Sequence, residues 1–258
     1  THLCGDDGVL FFPSPYRRAV KYAQRDAGNE IMRTEAMSRL TGDGNGLIVV
    51  TYPEALAVKV ATEAQLASHT VDVRCGEHTS MTELEHRLAD LGFRRVDYVY
   101  EPGDFALRGS IVDVFSYACE LPYRIDFFGD EVDSIRTFDI ETQLSDEKKE
   151  NVSIVPQMEQ DNGRRVSFTR FMPDNTLVVA KNLVYVRERI GQIYSEGYSE
   201  QARIEHEETL DDDGGRIEDE SLDKEALLQD GEAFEKEISR FRHAQFAHCP
   251  DGAKGVGV

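Results

Sequence analysis

Apolar runs and helical repeats alternate along the first sixty residues. Val9 to Pro13 and Leu47 to Tyr52 are continuous apolar runs, which predict strands, the second buried on both faces. Between them, apolar positions from Tyr16 to Leu40 recur at helical spacing, and Pro53 is placed to open a helix that runs to about Val60. This order of strand, helix, strand and helix is typical of an α/β domain with a parallel sheet.

The next eighty residues follow a different pattern, with one helix and several short strands. Val71 to Arg74 predicts a strand, and Thr79 to Gly92 predicts a helix capped by Ser80 or Thr82. Alternation and turn residues then predict four more strands: Arg95–Tyr100, Phe105–Phe115, Tyr123–Phe128 and Val132–Phe138. Gly129-Asp130 supplies a tight turn between the last two. The pattern therefore predicts a small α+β unit.

After residue 145 the first pattern returns. Ser145 to Asn151 predicts a charged connection. Two strands and two helices follow it: Val152–Pro156, Thr176–Ala180, Leu183–Gln201 and Phe234–Phe246. We therefore predict an α/β parallel-sheet domain formed by residues 1–60 and 146–258, interrupted by an inserted α+β domain at 61–145.

The charge of the chain is strongly negative and unevenly distributed. The formal net charge is −20 over 258 residues, which argues against broad binding to duplex nucleic acid. Asp and Glu are densest at 205–237, which predicts a solvated acidic loop; a calcium site is the alternative, although the spacing of an EF-hand loop is missing. No signal peptide and no membrane-spanning run is recognised, so we expect a cytoplasmic protein without membrane contact.

The cysteines do not form a metal-binding pattern. Cys4, Cys75, Cys119 and Cys249 are far apart in the sequence and include no CxxC pair, which favours free thiols in a reducing compartment. His243, His248 and Cys249 include metal-ligating residue types, but a polar helix end that runs into a tail explains them better. We expect no metal site.

Motifs for catalysis are absent from the sequence. There is no GxxxxGK[ST] phosphate loop, no GxGxxG and no helicase-type DExx box following a strand, so this chain has no recognisable machinery for ATP hydrolysis. Seven scattered histidines form no Ser/His/Asp or Cys/His pattern, and paired acids such as Asp130 and Glu131 fall in a turn. We predict no catalytic residue and no cofactor.

Two runs carry a resemblance to a known family. EPGDFALRGSIVDVF and ELPYRIDFFGDEVDSIRTFDIETQ resemble the N-terminal, UvrB-like module of the bacterial transcription-repair coupling factor (Mfd). The resemblance extends to FFPSPYRRAVKYAQRDAGNEIMRTEAMSRL, LIVVTYPEAL and FMPDNTLVV, and covers most of residues 9–246. The runs RG-x-(I/V)-x-D-x-F and FFGDE-x-(D/E)-x-I are shared with UvrB, whereas LPYRI and SIRTFD favour the coupling factor.

The resemblance implies a fold and a function. The fold is α/β, a split RecA-like (P-loop-NTPase-like) parallel-sheet domain with an inserted domain that binds UvrA. The coupling factor recognises RNA polymerase stalled at damage, displaces it with an ATP-driven translocase and recruits UvrA for nucleotide excision repair. By this resemblance the chain is a non-catalytic fragment. ATP, Mg²⁺, RNA polymerase and duplex DNA would bind other domains of the parent protein.

Five residues are the candidate contacts with UvrA. Arg108, in FALRG, is the first choice by the family match, followed by Arg95 and Arg94, because arginine offers five donors for carboxylates across an interface. Phe105 and Asp104 are expected as an apolar anchor and a register-setting charge. The alternative is that these arginines pair with Glu101, Asp113 or Glu120 of the same domain.

Three other functions are alternatives to this one. A nucleic-acid-binding module would use the same arginines on phosphates, and its affinity would fall steeply with salt. A fragment of UvrB itself is expected to carry a tyrosine-rich hairpin, which this sequence lacks. A hydrolase that uses surface acids has no support in the spacing of the acids.

The first testable prediction concerns catalysis and DNA. The purified chain is expected to hydrolyse no ATP and to bind duplex DNA weakly at physiological salt, since it lacks a phosphate loop and is acidic. A coupled ATPase assay and a fluorescence-anisotropy titration with duplex measure both properties. Robust turnover by the purified protein would show that the motif analysis missed a nucleotide site.

Overall fold

The computed structural model describes residues 8–16, 26–42, 46–158, 164–197 and 224–246, which form a mixed α/β protein. Several expectations lie outside these residues: the start of the first helix, the acidic stretch 205–223, and His248 and Cys249. Across the described ranges, no helix combines the length and the apolar character needed to cross a bilayer.

A six-stranded sheet is the largest element of the fold. Its strands lie in the order β10-β9-β8-β7-β6-β5, and all neighbours are antiparallel except β5 and β6. The strands are β5 (Arg94–Arg95), β6 (Asp104–Arg108), β7 (Ile111–Val114), β8 (Tyr123–Phe128), β9 (Glu131–Phe138) and β10 (Ser145–Lys149). The predicted hairpin at Gly129-Asp130 is confirmed, since β8 pairs with β9 across it.

Three sequence-based expectations in this sheet are wrong. The single strand Phe105–Phe115 is two strands, because Gly109 adopts φ +63° and lets β6 turn back to pair with β7. The strand Arg95–Tyr100 is reduced to β5, after which the chain leaves the sheet. The charged connection after residue 145 is instead β10, a charged edge strand that pairs with β9.

A helix and two further strands cover one face of this sheet. Helix α4 (Met81–Asp90) begins at Ser80, whose side chain accepts from the N–H of Glu83, as predicted. Strand β4 (Val71–Arg74) pairs antiparallel with β11 (Asn151–Ile154). The core between these elements and the sheet is lined by Val73, Leu84, Leu88, Phe105, Val112, Val114, Ile125, Phe127, Ile135 and Ile154. A strand beyond residue 145 therefore completes this core.

The remaining elements form the α/β part of the fold. Strand β1 (Val9–Phe12) is parallel to β2 (Ile48–Thr51), and β13 (Leu177–Ala180) is parallel to β14 (Arg242–Gln245). Strand β3 (Val60–Ala61) pairs antiparallel with β12 (Arg165–Val166). The helices are α1 (Ala27–Thr41), α2 (Pro53–Leu56), α3 (Glu63–His69), α5 (Leu183–Glu196), α6 (Lys224–Leu227) and α7 (Gly231–Ile238), with a 3₁₀ helix at Phe168–Phe171.

The sequence also misplaced two features near the C-terminal end. The helix expected over Phe234–Phe246 ends at Ile238, and the residues after it form β14, because their backbone pairs with β13. The acidic stretch was expected to be a loop as far as residue 237. Its last part instead forms α6 and most of α7, whose Phe234 and Ile238 are buried.

Strands β2 and β13 are less buried than expected. Ile48, Val50, Leu177 and Val179 are between 44% and 56% exposed, whereas the run that contains β2 is expected to be buried on both faces and the run that contains β13 to be a buried strand. Among the described residues, each strand pairs on one side only. The two strands line a common apolar cleft of about 830 Å³.

The second testable prediction concerns the core of the six-stranded sheet. Leu88 is fully buried there, so Leu88→Ala is expected to lower the free energy of unfolding by about 3 kcal/mol through lost burial and a residual cavity. Leu144, which is 69% exposed, is the matched control, and Leu144→Ala is expected to change stability by less than about 0.5 kcal/mol. Urea denaturation measures both; equal effects would mean that α4 does not pack as described.

Candidate partner-binding surface

The candidate arginines lie on the edge strand β5 and its neighbour β6, with Arg95 on the face that α4 covers and Arg108 on the opposite face. Arg94 and Arg95 form β5, whose register sets Arg94 beside Asp104 and Arg95 beside Phe105. The turn before β6 needs Gly103, which adopts φ +90° and lies so close to Tyr117 that a Cβ atom would be 3.1 Å from its ring. Arg108 ends β6 next to the Gly109 turn. We call Arg94, Arg95 and Arg108 the arginine surface.

Arg108 shares one carboxylate with a second arginine. Asp113 on β7 is 1% exposed and receives two hydrogen bonds from Arg124, Nε to Oδ1 at 2.8 Å and Nη2 to Oδ2 at 2.9 Å. Arg108 Nη2 donates to the same Oδ2 atom from the other side. Antiparallel register explains this convergence, since Asp113 lies opposite Arg124 on β8 and diagonal to Arg108 on β6.

This sharing leaves a positive charge on the sheet. Arg124 alone already forms a bidentate pair with Asp113, and the hydrogen bond to Asp113 is the main reason that the pKa of Arg124 is raised. On the same face, Arg136 lies opposite Arg124 and Asp126 lies opposite Ser134, so the formal charges of Arg136 and Asp126 cancel, whereas Lys148 opposite Arg136 adds a further positive charge. The charge of Arg108 is therefore not balanced on this face.

Arg108 is also the more accessible of the two arginines. Its side chain is 35% exposed, whereas that of Arg124 is 16% exposed and lies with Cζ 4.4 Å from the ring centre of Phe138. Arg124 further donates to the backbone carbonyl of Gln143 at 3.0 Å. Arg124 is thus fixed inside the fold by its ion pair with Asp113. Part of the Arg108 guanidinium group remains exposed, so some of its N–H donors can reach a partner.

Arg94 is exposed but its charge is balanced. Its Nε donates to Asp104 Oδ1 at 2.9 Å, its Nη2 lies 2.8 Å from the same oxygen in an ion pair, and Glu101 lies 3.5 Å from Nη2. The hydrogen bond to Asp104 is the main reason that the pKa of Arg94 is raised. Its side chain is 66% exposed and borders a polar pocket of about 260 Å³ that Tyr117 and Gln157 also line.

Arg95 forms a surface ion pair with helix α4. Its Nη1 donates to Glu85, and its side chain remains 64% exposed. An exposed pair of this kind contributes little to stability and leaves the guanidinium available to a partner. Arg94 pairs with Glu101 and Arg108 pairs with Asp113, as the alternative of pairing within the domain predicts. All three arginines nevertheless remain partly exposed.

Two of the five candidates do not lie on the surface. Phe105 is 1% exposed and packs in the core of the sheet, so it is not available as an apolar anchor. Strand alternation explains this: Phe105 and Leu107 face the core, and the residues between and after them face the other side. The side chain of Asp104 is 4% exposed and holds Arg94 and the N–H of Glu101. Both residues position the arginine surface.

Sequence reasoning missed two exposed aromatic residues beside Arg108. Tyr98 and Tyr100 are 50% and 59% exposed, on either side of Val99, which is buried against Ala106, Phe115 and Phe138. The guanidinium carbon of Arg108 lies 5.1 Å from the ring centre of Tyr98. The signal was the alternation of apolar and aromatic positions in VDYVYE, which was interpreted as a strand.

The third testable prediction separates the roles of the two arginines. Asp113→Ala leaves Arg124, whose side chain is 16% exposed, without its carboxylate and is expected to lower the free energy of unfolding by about 3 kcal/mol. Arg108→Ala leaves the bidentate pair intact and is expected to cost less than about 1 kcal/mol. Asp133→Ala, at an exposed position of β9, is the control for loss of a strand aspartate.

Urea denaturation of the three variants decides the matter. If Arg108→Ala were as destabilising as Asp113→Ala, Arg108 would be a structural ion-pair partner and not an outward-facing donor.

Comparison with known proteins identifies the unit that carries this surface. Residues 71–159 match the family model of the UvrB interaction domain. Curated relatives of the chain are transcription-repair-coupling factors. The factor of Escherichia coli (strain K12) is 35% identical over 127 residues, which are 49% of this chain and 11% of the Escherichia coli protein. That of Bacillus subtilis (strain 168) is 28% identical over 221 residues, 80% of this chain and 18% of that protein.

A third relative, from Staphylococcus aureus (strain USA300), is 40% identical over 122 residues, 47% of this chain and 10% of that protein. The chain thus spans about a tenth to a fifth of the length of these relatives. The resemblance seen in the sequence is confirmed. Residues 71–159 match the UvrB interaction domain, and the chain is similar to the transcription-repair-coupling factors.

Proposed function

We propose that this chain is a non-catalytic module of a transcription-repair coupling factor that binds UvrA through the arginine surface. In this role it recruits UvrA to RNA polymerase stalled at damage, for nucleotide excision repair. The observation that carries the proposal is the unbalanced charge of Arg108, which shares the carboxylate of Asp113 with Arg124 inside a UvrB interaction domain.

The chemistry of the three arginines suits a protein partner. Guanidinium groups bind carboxylates through two parallel hydrogen bonds, and arginine is among the residues that dominate interface energies. Arg94 and Arg95 are about two-thirds exposed and already next to acids, so they form the polar rim. Arg108 carries the unbalanced charge on the opposite face of the sheet from Arg95, and we assign it the role of the binding hot spot.

The same features disfavour nucleic acid as the partner. Glu101, Asp104 and Glu85 lie beside Arg94 and Arg95, and their carboxylates repel phosphates. The net charge of −20 adds long-range repulsion. A single arginine on an acidic protein can instead pair at short range with one carboxylate of a protein partner, and this pairing fixes the register of the contact.

The parent protein extends the proposal beyond this chain. We propose that ATP and Mg²⁺ are bound by motor domains elsewhere in the parent, an ATP-dependent DNA translocase, and that RNA polymerase and duplex DNA contact other domains. The chain itself needs no cofactor and no metal in this proposal, and it acts in the cytoplasm. The support is the absence of a phosphate loop in the sequence and the greater length of the relatives.

The domain arrangement is also part of the proposal. We propose a split RecA-like domain, formed by residues 1–60 and 146–258, with the UvrA-binding domain inserted at 61–145. Two parallel pairs, β1-β2 and β13-β14, with an apolar cleft between their open edges, support a parallel sheet of this kind. Pairing of β11 with β4 favours an end of the inserted domain near residue 154.

The fourth testable prediction addresses UvrA binding. The chain is expected to bind UvrA without nucleotide, and Arg108→Ala or Arg108→Glu is expected to weaken that binding by about 2 kcal/mol, the magnitude of an interface hot spot. The melting temperature should hardly change. Arg187→Ala is the matched control, because Arg187 is 36% exposed and paired with Glu235 on a different part of the fold.

Isothermal titration of UvrA into each variant measures the effect, beside a titration with damaged duplex. Unchanged affinity of the Arg108 variants for UvrA would refute the assignment. Tight, salt-sensitive binding to the duplex that is lost in Arg108→Ala would favour the nucleic-acid module instead.

A further inference from the structure

The segment 96–100 crosses the outer face of the six-stranded sheet beside Arg108. Val99 is buried in a small apolar cluster on that face, with Ala106, Phe115 and Phe138. Tyr98 and Tyr100, on either side of Val99, therefore face solvent, and half or more of each side chain is exposed. Solvent-facing tyrosines next to an unbalanced arginine have the composition of a binding surface.

Tyr98 is placed to hold the guanidinium of Arg108. Its ring centre lies 5.1 Å from Arg108 Cζ, within the range of a cation–π contact, while Asp113 holds the same guanidinium through a hydrogen bond. Two contacts of different kinds restrict a long, flexible side chain before any partner arrives. A donor that is already oriented loses less conformational freedom on binding, which raises affinity.

Core packing does not account for the ring. Val99 supplies the apolar contact of this segment, and 50% of the surface of Tyr98 is exposed. Within the described part of the chain, no hydrogen bond is assigned to the Tyr98 hydroxyl. The ring therefore contributes little to folding, and its exposed half is free to contact another molecule.

We infer that Tyr98 is a contact and positioning residue of the arginine surface, and that this surface takes a carboxylate flanked by apolar side-chain atoms. The carboxylate of an Asp or Glu in the partner would meet the free donors of Arg108, and the neighbouring aliphatic atoms would cover the exposed half of the Tyr98 ring. This inference rests on the proposed binding of UvrA, because it describes the epitope that the same site recognises.

The fifth testable prediction uses substitutions at Tyr98, with UvrA as the titrant. Tyr98→Ala is expected to weaken binding about tenfold, since it removes both the ring contact and the support of Arg108. Tyr98→Phe keeps the ring and is expected to stay within about twofold of the unaltered chain, whereas Tyr98→Leu keeps apolar volume without the π face and should fall between them. Tyr185→Ala, at a 59% exposed tyrosine on α5, is the control.

A double-mutant cycle with Arg108→Ala tests whether the two side chains act together. The effect of Tyr98→Ala should shrink in the Arg108→Ala background if the ring works partly by holding the guanidinium. Full additivity, with equal losses for Tyr98→Leu and Tyr98→Phe, would overturn the positioning role. A large fall in the melting temperature of Tyr98→Ala would show that the ring is structural and would also overturn the inference.

The outcomes distinguish this inference from the proposed function. If Arg108→Ala weakens UvrA binding and Tyr98→Ala does not, the binding site stands and the role of Tyr98 is wrong. If the unaltered chain does not bind UvrA, or if neither variant changes the affinity, the proposed function itself fails.

Discussion

The convergence of two arginines on the buried carboxylate of Asp113 is the interaction on which this surface depends. Leaving a carboxylate at 1% exposure without a partner would be costly, so at least one guanidinium must accompany it. Arg124 meets that need with two hydrogen bonds and is itself enclosed by Phe138 and the Gln143 carbonyl. Arg108 is then a second cation on a site already neutralised, and its charge is available to another protein.

The fold positions this second cation through strand register and one tight turn. Gly109 turns β6 back onto β7, so that Arg108 at the end of β6 comes diagonal to Asp113. Phe105 and Leu107 point to the opposite face of the sheet, where they pack in the core and hold β6 in place. The residues that fix the strand and the residue that offers the charge are thus neighbours in sequence on opposite faces. A substitution at Phe105 would act on stability, and one at Arg108 on binding.

The sequence predicted the elements that depend on local patterns. The cap at Ser80, the hairpin at Gly129-Asp130 and the strands β1, β2 and β4 follow from side-chain period and turn chemistry. The sequence-based prediction was wrong for segments whose secondary structure depends on pairing with a strand elsewhere in the chain. Residues 242–245 look helical locally but pair with β13, and residues 145–149 look like a linker but pair with β9. Neither strand pairing can be predicted from the neighbouring residues in the sequence alone.

At the candidate site, too, features that depend on local sequence were predicted and features that depend on strand register were not. The arginines were found because they are concentrated in one stretch and match a family, but Phe105 was assigned to the surface because the alternation of β6 was not followed through the turn. The charge balance at Asp113 could not be derived from the sequence, since it needs the register of three strands. Tyr98 was missed because its segment leaves the sheet after β5.

The most direct test of the central claim is an NMR titration that follows the side-chain Nε–H signals of Arg108 and Arg124 as UvrA is added. Since Arg124 is fixed inside the fold and Arg108 faces the partner, we expect the Arg108 signal to shift or broaden in step with binding while the Arg124 signal keeps its position. Binding of UvrA with an unchanged Arg108 signal, or with equal changes in both, would show that the unbalanced guanidinium is not what the partner recognises.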